Sequence, residues 1–394
     1  MEHLRIALIS SEELRYFPPM ISLLNVLDRL GHEVTLMTPY QDEMFSSLQL
    51  RHARQLSVAD SKKAWLNEYT PNHLKASFRF HTDRLLKRGC LTKLPKKFKA
   101  ELADADVVWV LHENTMLLGG KKLADQLGSY LYTMYELCIK NSKVPEIYAY
   151  AARKALLTVV PEYCRAHIVE AYYSLPHHPA IIPNKPLEHP ACKNMPISDP
   201  KIRDKVAGLE AQGKKIIMYM GILSDERPLE PIIEAVSQTG NYTLAVLGER
   251  TPYLEQLEQK MGGRFTYLGE VKPPHHLEVA SHADVAYVSY VAQQGSINAV
   301  FCAPNKVYEF AGFGIPMLCN DNPGLKFTVE RFGMGVCAES LSVEGIRAAL
   351  AEIDQNYPAM EQAARTYYNA SSVEKAVEET LERFRSLREQ QDRG

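Results

Sequence analysis

The chain has 394 residues, of which 46% are hydrophobic, and a formal net charge of −2 at pH 7. This length predicts two domains, each with an apolar core, and the near-zero charge argues against a nucleic-acid partner. The seven cysteines are scattered without a C-x-x-C pair, which favours reduced thiols over a disulfide framework or a zinc site. Since no signal peptide or membrane-spanning run is recognisable, we expect a cytoplasmic protein.

The N-terminal half alternates short apolar runs with helical patterns. Between the first two runs, residues 19–33 have apolar positions at helical spacing, with Gly31 where a C-terminal cap is expected. Strands this apolar, separated by helices, indicate a parallel sheet covered on both faces. The predicted strands are residues 5–10, 34–39, 107–112, 129–136 and 155–162.

A proline-rich stretch, residues 177–200, separates this half from a second alternating pattern. It holds six prolines and little periodicity, which is typical of a linker. Near the C-terminus, residues 373–387 predict an amphipathic helix. The strands predicted after the linker are residues 214–221, 242–249, 264–271, 284–291 and 315–321. The whole pattern predicts an α/β chain of two doubly wound, Rossmann-like domains facing across a cleft, with ligands beyond the carboxyl ends of the strands.

The loops after the first strand of each domain argue against a dinucleotide-binding enzyme. Neither loop has the G-x-G-x-x-G turn that a nicotinamide or flavin dinucleotide needs, and no G-x-x-x-x-G-K-[ST] phosphate loop occurs. The second loop nevertheless has Gly221 and Arg227 before a helix predicted at 229–236. Loop amides and this guanidinium could hold a diphosphate. The alternative is an arginine on a solvated loop beside two acidic residues.

Residues 302–321, CAPNKVYEFAGFGIPMLCND, place polar residues on one face of a short helix predicted over 304–312. The spacing of Asn305, Lys306 and Glu309 puts them on that face. A carboxylate there can accept both hydroxyls of a ribose, while Lys306 with Asn298 can contact phosphate oxygens. The alternative is a surface Lys–Glu pair worth roughly a few tenths of a kcal/mol.

The stretch PNKVYEFAGFGIPMLCND resembles the signature P-N-K-L-[FY]-E-[YF]-M-A-x-G-x-P-V-[IL] of GT-B fold, family 4 (group 1) glycosyltransferases. Members of this family are retaining enzymes that use nucleotide-activated sugars. YMGILSDERPLEPIIEAV is similar to their G-x-L-x-x-E-K-G diphosphate loop and its helix, and AIIPNKP is similar to the VIPNGV that closes their first domain. The resemblance covers most of residues 150–340.

The resemblance implies roles for individual residues of the second domain. Glu309 matches the glutamate that binds the donor ribose, and Gly221 with Arg227 matches the glycine and cation that hold the diphosphate. Arg227 and Lys306 are also expected to act in catalysis by stabilising the leaving diphosphate. The donor-binding residues implied are Gly221, Arg227, Gly295, Ser296, Asn298, Asn305, Lys306 and Glu309.

Departures from the family pattern leave the donor sugar and the acceptor open. Phe301 stands eight positions before the ribose-binding glutamate, where many members carry a second glutamate near the donor sugar. Ile222 replaces the usual arginine after the loop glycine. The first N-terminal loop lacks the paired glycines of the family, so it is expected to contact the acceptor instead, through Glu12, Glu13 or Arg15.

The N-terminal domain offers two further resemblances. VLHENT (110–115) resembles an H-x-H-E-P stretch of some members, which makes His112 a catalytic candidate facing the reacting sugar; the alternative is a polar core or loop residue. YTMYEL (132–137) resembles a Y-D-x-H-E-L stretch, of which Glu136 remains as a candidate acceptor contact. DAD at 104–106 is interpreted as a turn rather than a metal site. No metal or other cofactor is expected.

These features predict a retaining hexosyltransferase that moves a sugar from a UDP- or GDP-type nucleoside diphosphate sugar to a hydroxyl of a glycan or lipid-linked acceptor. The predicted pathway is surface polysaccharide or glycoconjugate biosynthesis. The predicted domains are 1–190 for the acceptor, 191–372 for the nucleotide sugar, and 373–394 for a helix that packs back toward the first domain. The alternatives are a GT-B nucleotide-sugar epimerase and a non-catalytic nucleotide-sugar-binding relative.

One basic stretch of the sequence indicates where in the cell the protein acts. Residues 79–100 hold eight Lys or Arg against one Asp, with four apolar side chains among them. This pattern favours peripheral contact with anionic lipid at the inner face of the cytoplasmic membrane. The alternative is a solvated basic loop.

Overall fold

Two compact units make up the structure. The computed structural model describes residues 3–59, 75–139, 144–292 and 296–393, with the backbone alone for 59 and 75–82. Contacts divide the chain into a first unit, Met1–Leu187 with Ser372–Gly394, and a second unit, Glu188–Ser371.

In its described residues, the first unit is built around a parallel sheet of seven strands in the order β3-β2-β1-β4-β5-β6-β7. Its strands are β1 (Arg5–Ser10), β2 (Glu33–Tyr40), β3 (Ala53–Ala59), β4 (Val107–Leu111), β5 (Leu131–Thr133), β6 (Leu157–Val160) and β7 (Ala180–Ile181). Its helices are α1 (Pro18–Arg29), α2 (Glu43–Ser47), α3 (Lys75–Thr92), α4 (Lys96–Asp104), α5 (Glu113–Gln126), α6 (Glu146–Lys154) and α7 (Tyr163–Tyr173). The central strand β1 pairs Ile6 with Val34 of β2 and Val107 of β4, and its apolar residues are buried because helices cover the sheet.

The C-terminal helix belongs to the first unit. It spans Val373–Arg393 and contacts α1. Val377, Leu381 and Phe384 are buried in the same core as Leu24 and Leu27 of α1. The amphipathic stripe in the sequence is therefore the buried face of this helix.

The described part of the second unit has a parallel sheet of six strands in the order β10-β9-β8-β11-β12-β13. Its strands are β8 (Lys215–Met220), β9 (Tyr242–Leu247), β10 (Thr266–Gly269), β11 (Val285–Val288), β12 (Met317–Asn320) and β13 (Gly335–Ala338). Its helices are α8 (Pro200–Glu210), α9 (Glu230–Ser237), α10 (Pro252–Met261), α11 (His276–Ala280), α12 (Ile297–Val300), α13 (Asn305–Gly312), α14 (Pro323–Leu325) and α15 (Val343–Ala370). The helix Val373–Arg393 is accordingly α16.

The α/β fold class predicted from the sequence is confirmed, since both sheets are parallel and flanked by helices. Three strands were not predicted: β3, β7 and β13. All three lie at the edge of a sheet, where a strand has one neighbour and needs less apolar sequence than a central strand. β7 lies inside the proline-rich stretch predicted to be a linker, and it pairs with β6 through Val159 and Ala180.

The sheet order reverses between β1 and β4 in the first unit and between β8 and β11 in the second. At such a point the loops after the two strands run to opposite sides and leave room for a ligand at the carboxyl edge. In the described residues, no helix is both long enough and apolar enough to cross a membrane.

Candidate functional site

The carboxyl edge of the second sheet is shaped by a glycine and a lysine. Gly221, directly after β8, has φ 135°, a conformation that favours glycine. A Cβ on Gly221 would lie 3.0 Å from the Nζ of Lys306. The glycine therefore permits both the turn and the close approach of the ammonium group.

Lys306 on α13 is buried without a hydrogen-bond partner. The residue is 8% exposed, and within the described part of the chain its Nζ has no hydrogen bond. The ammonium lies 4.6 Å from the ring centroid of Tyr219 and 5.5 Å from that of Tyr290, so its contacts are cation–π. Burial lowers the pKa of Lys306 to about 7, with the charge of Arg227 acting in the same direction and Glu309 opposing both.

Arg227 lies beside the same aromatic ring. Its guanidinium carbon is 5.0 Å from the ring centroid of Tyr290, and its Nε is buried without a hydrogen-bond partner among the described residues. A turn holds the backbone, in which Arg227 N–H donates to the carbonyl of Ser224 at 2.9 Å. Arg227 and Lys306 thus form two neighbouring cations that protein acceptors do not saturate.

Glu309 is on α13, one turn after Lys306. Its side chain is 15% exposed, and its Oε1 lies 3.2 Å from Nε2 of His276. The Nδ1 of His276 is buried without a partner in the described residues. His189 bonds the backbone carbonyl of Glu309 through Nε2 at 2.8 Å and packs against Phe313. The carboxylate is therefore held by a histidine rather than by Lys306.

The predicted helix over 304–312 is present as α13, one residue shorter at its start. Pro304 is the N-cap, not the first helical residue, with ψ 138°. Gly314 has φ 70° after the helix, as expected for its end. Val307, Phe310 and Ala311 are buried on the core-facing side. Lys306 departs from the predicted polar face because it is buried over aromatic rings.

The other predicted donor residues precede or open α13. Asn305 is its first residue, and Ser296 is the N-cap of α12 without a side-chain capping bond. Asn298 lies on α12. Gly295 lies outside the described residues.

His112 lies at the carboxyl edge of the first sheet, directly after β4. Its backbone φ of 70° with ψ 138° is strained for a residue with a side chain. Its Nδ1 accepts a hydrogen bond from Asn114 N–H at 3.1 Å, which caps α5. Burial lowers the pKa of His112 to about 4, and the charge of Glu12 raises it in part. The imidazole is therefore neutral at pH 7, with its proton on Nε2.

Glu113, the next residue, is a buried acid that was not among the predicted site residues. Its two carboxylate oxygens accept hydrogen bonds from the N–H groups of Tyr135 at 3.0 Å and Glu136 at 2.9 Å. Burial raises the pKa of Glu113 to about 8, although these backbone bonds lower it in part. Glu113 ties the start of α5 to the segment after β5.

The three predicted acceptor residues differ in their surroundings. Glu12 accepts a hydrogen bond from Ser11 Oγ at 2.9 Å and lines a cavity of about 290 Å³ with Asn114 and residues of α3. Arg15 forms an exposed ion pair with Glu13 at 2.8 Å. Glu136 is 54% exposed, 3.9 Å from a guanidinium nitrogen of Arg165. Of these three residues, Glu12 is the one whose charge raises the pKa of His112.

The basic stretch 79–100 forms parts of α3 and α4. Lys87 pairs with Asp83 at 3.2 Å, and Lys97 donates to the backbone carbonyl of Ser57. Leu91 is fully buried, whereas Leu85 is 66% exposed. Part of the apolar pattern therefore faces the protein core. Phe80 lies among the residues whose side chains are outside the described set.

No family model and no curated protein matches this sequence. Among solved structures, sucrose-phosphate synthase from Thermosynechococcus elongatus is 17% identical, with a TM-score of 0.65 over 98% of this chain and 99% of that chain. A glycosyltransferase from Rickettsia africae is 11% identical, with a TM-score of 0.68 over 98% and 99%. Anabaena HepE, crystallised with UDP and glucose, is 13% identical, with a TM-score of 0.64 over 96% and 100%. The GT-B fold predicted from the sequence is confirmed.

Proposed function

We propose that this GT-B chain is a retaining glycosyltransferase that binds a UDP- or GDP-type nucleoside diphosphate sugar at the carboxyl edge of the second sheet. The observation that carries the proposal is the ammonium of Lys306, which is buried and has no hydrogen-bond partner in the described residues. Burying an unpaired charge is costly. A bound anion would supply the missing partner.

A diphosphate fits the arrangement better than a single carboxylate does. Lys306 and Arg227 flank Tyr290 from 5.5 and 5.0 Å, so two cations are available to neighbouring phosphates. The absence of a side chain at Gly221 leaves room beside the ammonium of Lys306, since a Cβ there would lie 3.0 Å from Nζ. Three structures of HepE are similar to this fold, and they contain UDP with glucose, UDP-glucose, and UDP alone.

Glu309 supplies the contact for the ribose. An ionised carboxylate accepts hydrogen bonds and donates none, so it suits the two hydroxyls of a ribose. His276 occupies one side of the carboxylate through Oε1, which fixes its orientation. We assign the contacts with the sugar and phosphate end of the donor to Gly295, Ser296, Asn298 and Asn305.

The chemistry follows from the charges. As the glycosyl bond breaks, negative charge develops on the leaving diphosphate, and Arg227 with Lys306 stabilises it. A leaving phosphate oxygen takes the proton of the acceptor hydroxyl on the same face of the sugar, which retains the anomeric configuration. We expect transfer to need no added metal, so excess EDTA should leave the rate unchanged.

The first unit is assigned to the acceptor. Neutral His112 carries its proton on Nε2 and can donate a hydrogen bond to a sugar hydroxyl. Glu12, Arg15 and Glu136 are the acceptor candidates, and the acceptor is a glycan or a lipid-linked sugar of surface polysaccharide or glycoconjugate synthesis. Residues 79–100 would contact anionic lipid from the cytoplasmic side. Co-sedimentation with anionic vesicles tests this contact. If it persists after Lys96, Lys97 and Lys99 are neutralised, the contact is refuted.

A thermal-shift panel tests the donor assignment. We expect UDP or GDP and one of their sugars to raise the unfolding temperature, because a ligand that binds the folded state alone stabilises it. Lys306→Met should abolish the shift, whereas Lys201→Met, at an exposed position on α8, should retain it. Equal shifts in both variants, or none with any nucleotide in the original chain, would refute the proposal.

Product analysis separates the proposed transferase from the two alternatives. Incubation with the stabilising nucleotide sugar and a glycan acceptor should give a new glycosidic bond with the donor's anomeric configuration, detectable by NMR. Formation of an isomeric nucleotide sugar without acceptor would identify an epimerase. Binding without any turnover would identify a non-catalytic relative.

A further inference from the structure

A cluster of two histidines and one glutamate lies on the first unit, apart from every residue assigned above. His167 and Glu170 are three positions apart on α7, so their side chains leave the same face of the helix. His178 follows the helix by five residues. The ligand atoms of His167, Glu170 and His178 all lie within 4.8 Å of one another.

The backbone holds His178 over the helix. Ser174 ends α7 in a left-handed conformation, φ 53° and ψ 56°, and its N–H bonds the carbonyl of Glu170. Leu175 N–H donates to the same carbonyl at 3.1 Å, so the chain reverses direction there. The carbonyl of His178 accepts from the guanidinium of Arg383 at 2.6 Å. The third residue of the cluster is therefore placed by main-chain contacts and not by its own ring alone.

The distances between the ligand atoms lie on either side of the spacing found in a metal site. Nδ1 of His178 is 2.7 Å from Oε2 of Glu170, and Nδ1 of His167 is 4.0 Å from the same oxygen. Tetrahedral zinc with bonds near 2.0–2.2 Å separates its ligand atoms by about 3.3 Å. Small side-chain rotations would bring the three atoms to that spacing.

An ordinary surface hydrogen bond explains part of this arrangement. Glu170 and His178 alone would satisfy each other, as their 2.7 Å contact shows. That bond does not account for His167, whose ring lies 4.6 Å from the ring of His178. A cation ligated by both imidazoles would hold the two rings together in this arrangement.

The donor set selects the metal class. Two imidazole nitrogens and one carboxylate oxygen suit zinc and similar transition metals, while calcium and magnesium prefer oxygen ligands alone. The side chain of His167 is 53% exposed, so an ion can enter and water can fill the fourth position. The charge of Arg383, which acts on Glu170, opposes cation binding and is expected to weaken the site.

We propose that His167, Glu170 and His178 bind one zinc ion, which fastens the end of α7 to the turn before β7. The site lies outside the residues assigned to donor or acceptor, so its test is independent of the proposed function. Ser174 and Leu175 already form the turn, and zinc would stabilise it further.

The test is a titration of the chelator-treated full chain with Zn²⁺ by calorimetry, and with Co²⁺ by visible absorption. We expect one ion per chain, the absorption of tetrahedral Co²⁺, and a higher unfolding temperature with Zn²⁺. Mg²⁺ should give no binding heat. Absence of binding by both Zn²⁺ and Co²⁺ would overturn the proposal.

Variants assign the binding to these residues. His167→Gln keeps the Glu170–His178 bond and should weaken Zn²⁺ affinity at least about tenfold, and the double variant with His178→Gln should abolish it. His177→Gln, next to the cluster but outside it, is the matched control and should bind as before. Far-UV circular dichroism checks that each variant is folded. Unchanged Zn²⁺ affinity in the folded double variant would overturn the assignment.

Discussion

The carboxyl edges of the two sheets each bury an ionisable group, but only one of these groups has hydrogen-bond partners in the described residues. In the first unit, Glu113 is 2% exposed and accepts two backbone hydrogen bonds. In the second unit, Lys306 is 8% exposed and has no hydrogen bond in the described residues. Both groups have pKa values moved toward neutrality by burial.

The difference separates a structural role from a ligand-binding one. Both carboxyl oxygens of Glu113 accept hydrogen bonds from the backbone, so this acid holds α5 against the segment after β5. The ammonium of Lys306 has three donors and is surrounded by aromatic rings. A buried polar group that the fold leaves unpaired requires an explanation, and here a bound anion supplies one.

Replacing Lys306 by methionine should produce the largest effect. Loss of a buried, charge-assisted contact is expected to weaken nucleoside diphosphate binding about a hundredfold. The unliganded protein should become more stable at pH 7, by about 1–3 kcal/mol, because an unpaired buried charge is removed. Calorimetry and urea unfolding measure the two quantities. A variant that loses stability and keeps its affinity would reverse the comparison with Glu113.

The pH dependence of binding gives a second measure of the same lysine. Its pKa of about 7 in the free protein means that the ammonium is charged below pH 7 and increasingly neutral above it. Nucleotide affinity should therefore fall as pH rises from 7 to 9, by up to about tenfold per unit. The free energy of unfolding without ligand should rise over the same range, since a lysine in the unfolded chain keeps its proton up to its ordinary pKa of 10.5. Lys306→Met should lack both trends.

Glu309→Gln should separate the ribose contact from the phosphate contact. We expect affinity for a nucleoside diphosphate to fall about tenfold to thirtyfold, because an amide replaces an ionised acceptor. Affinity for pyrophosphate should change by less than about twofold, as it has no ribose. Glu234→Gln, exposed on α9, is the matched control. Equal losses for both ligands would place Glu309 at the phosphates.

Much of the fold followed from the sequence, since central strands are apolar throughout and show clearly in the pattern. The edge strands β3 and β7 did not, because one neighbour and partial exposure leave a weaker apolar signal. β13 is buried, but it is a run of only four residues that begins with Gly335. The proline-rich stretch also concealed β7, whose two residues pair with β6. Tertiary pairing, not local composition, makes these segments strands.

The sequence predicted some residues of the candidate site but not the tertiary contacts that surround them. Spacing along α13 put Lys306 and Glu309 together, but it could not show that the lysine is buried over Tyr219 and Tyr290, which come from distant parts of the chain. His276 and His189 contact Glu309 across 33 and 120 residues. Contacts of that range leave no local pattern. The HH pair at 275–276 was the available signal, and periodicity alone gives it no role.

Glu113→Gln should affect stability and leave nucleotide binding unchanged. A glutamine has one acceptor oxygen where the carboxyl group has two, so one of the backbone N–H groups of Tyr135 and Glu136 loses its partner. We expect the free energy of unfolding at pH 7 to fall by about 1–3 kcal/mol, measured in urea, against Glu33→Gln as an exposed control.

The same acid should give the original protein a distinctive pH profile. With a pKa of about 8 in the folded state against an ordinary value of 4.5, Glu113 binds its proton more tightly when folded. Its contribution to stability is therefore present below pH 4.5 and is lost as pH rises through 8. Weaker nucleotide binding in Glu113→Gln would show that this acid also acts on the ligand.

The smallest effect is expected at His276, which acts on the ligand only by orienting Glu309. Removing the ring with His276→Leu frees the Oε1 of Glu309 from its 3.2 Å contact, so the carboxylate must be ordered when the nucleotide binds. We expect about a fivefold loss of nucleotide affinity, with pyrophosphate binding unchanged. His276→Gln can keep an N–H donor near the position of Nε2 and should recover most of the affinity. His275→Leu, which alters the neighbouring exposed histidine paired with Glu278, is the matched control. If glutamine fails to recover affinity while the protein remains folded, the ring of His276 must contact the nucleotide itself, and its buried Nδ1 would be the atom to examine.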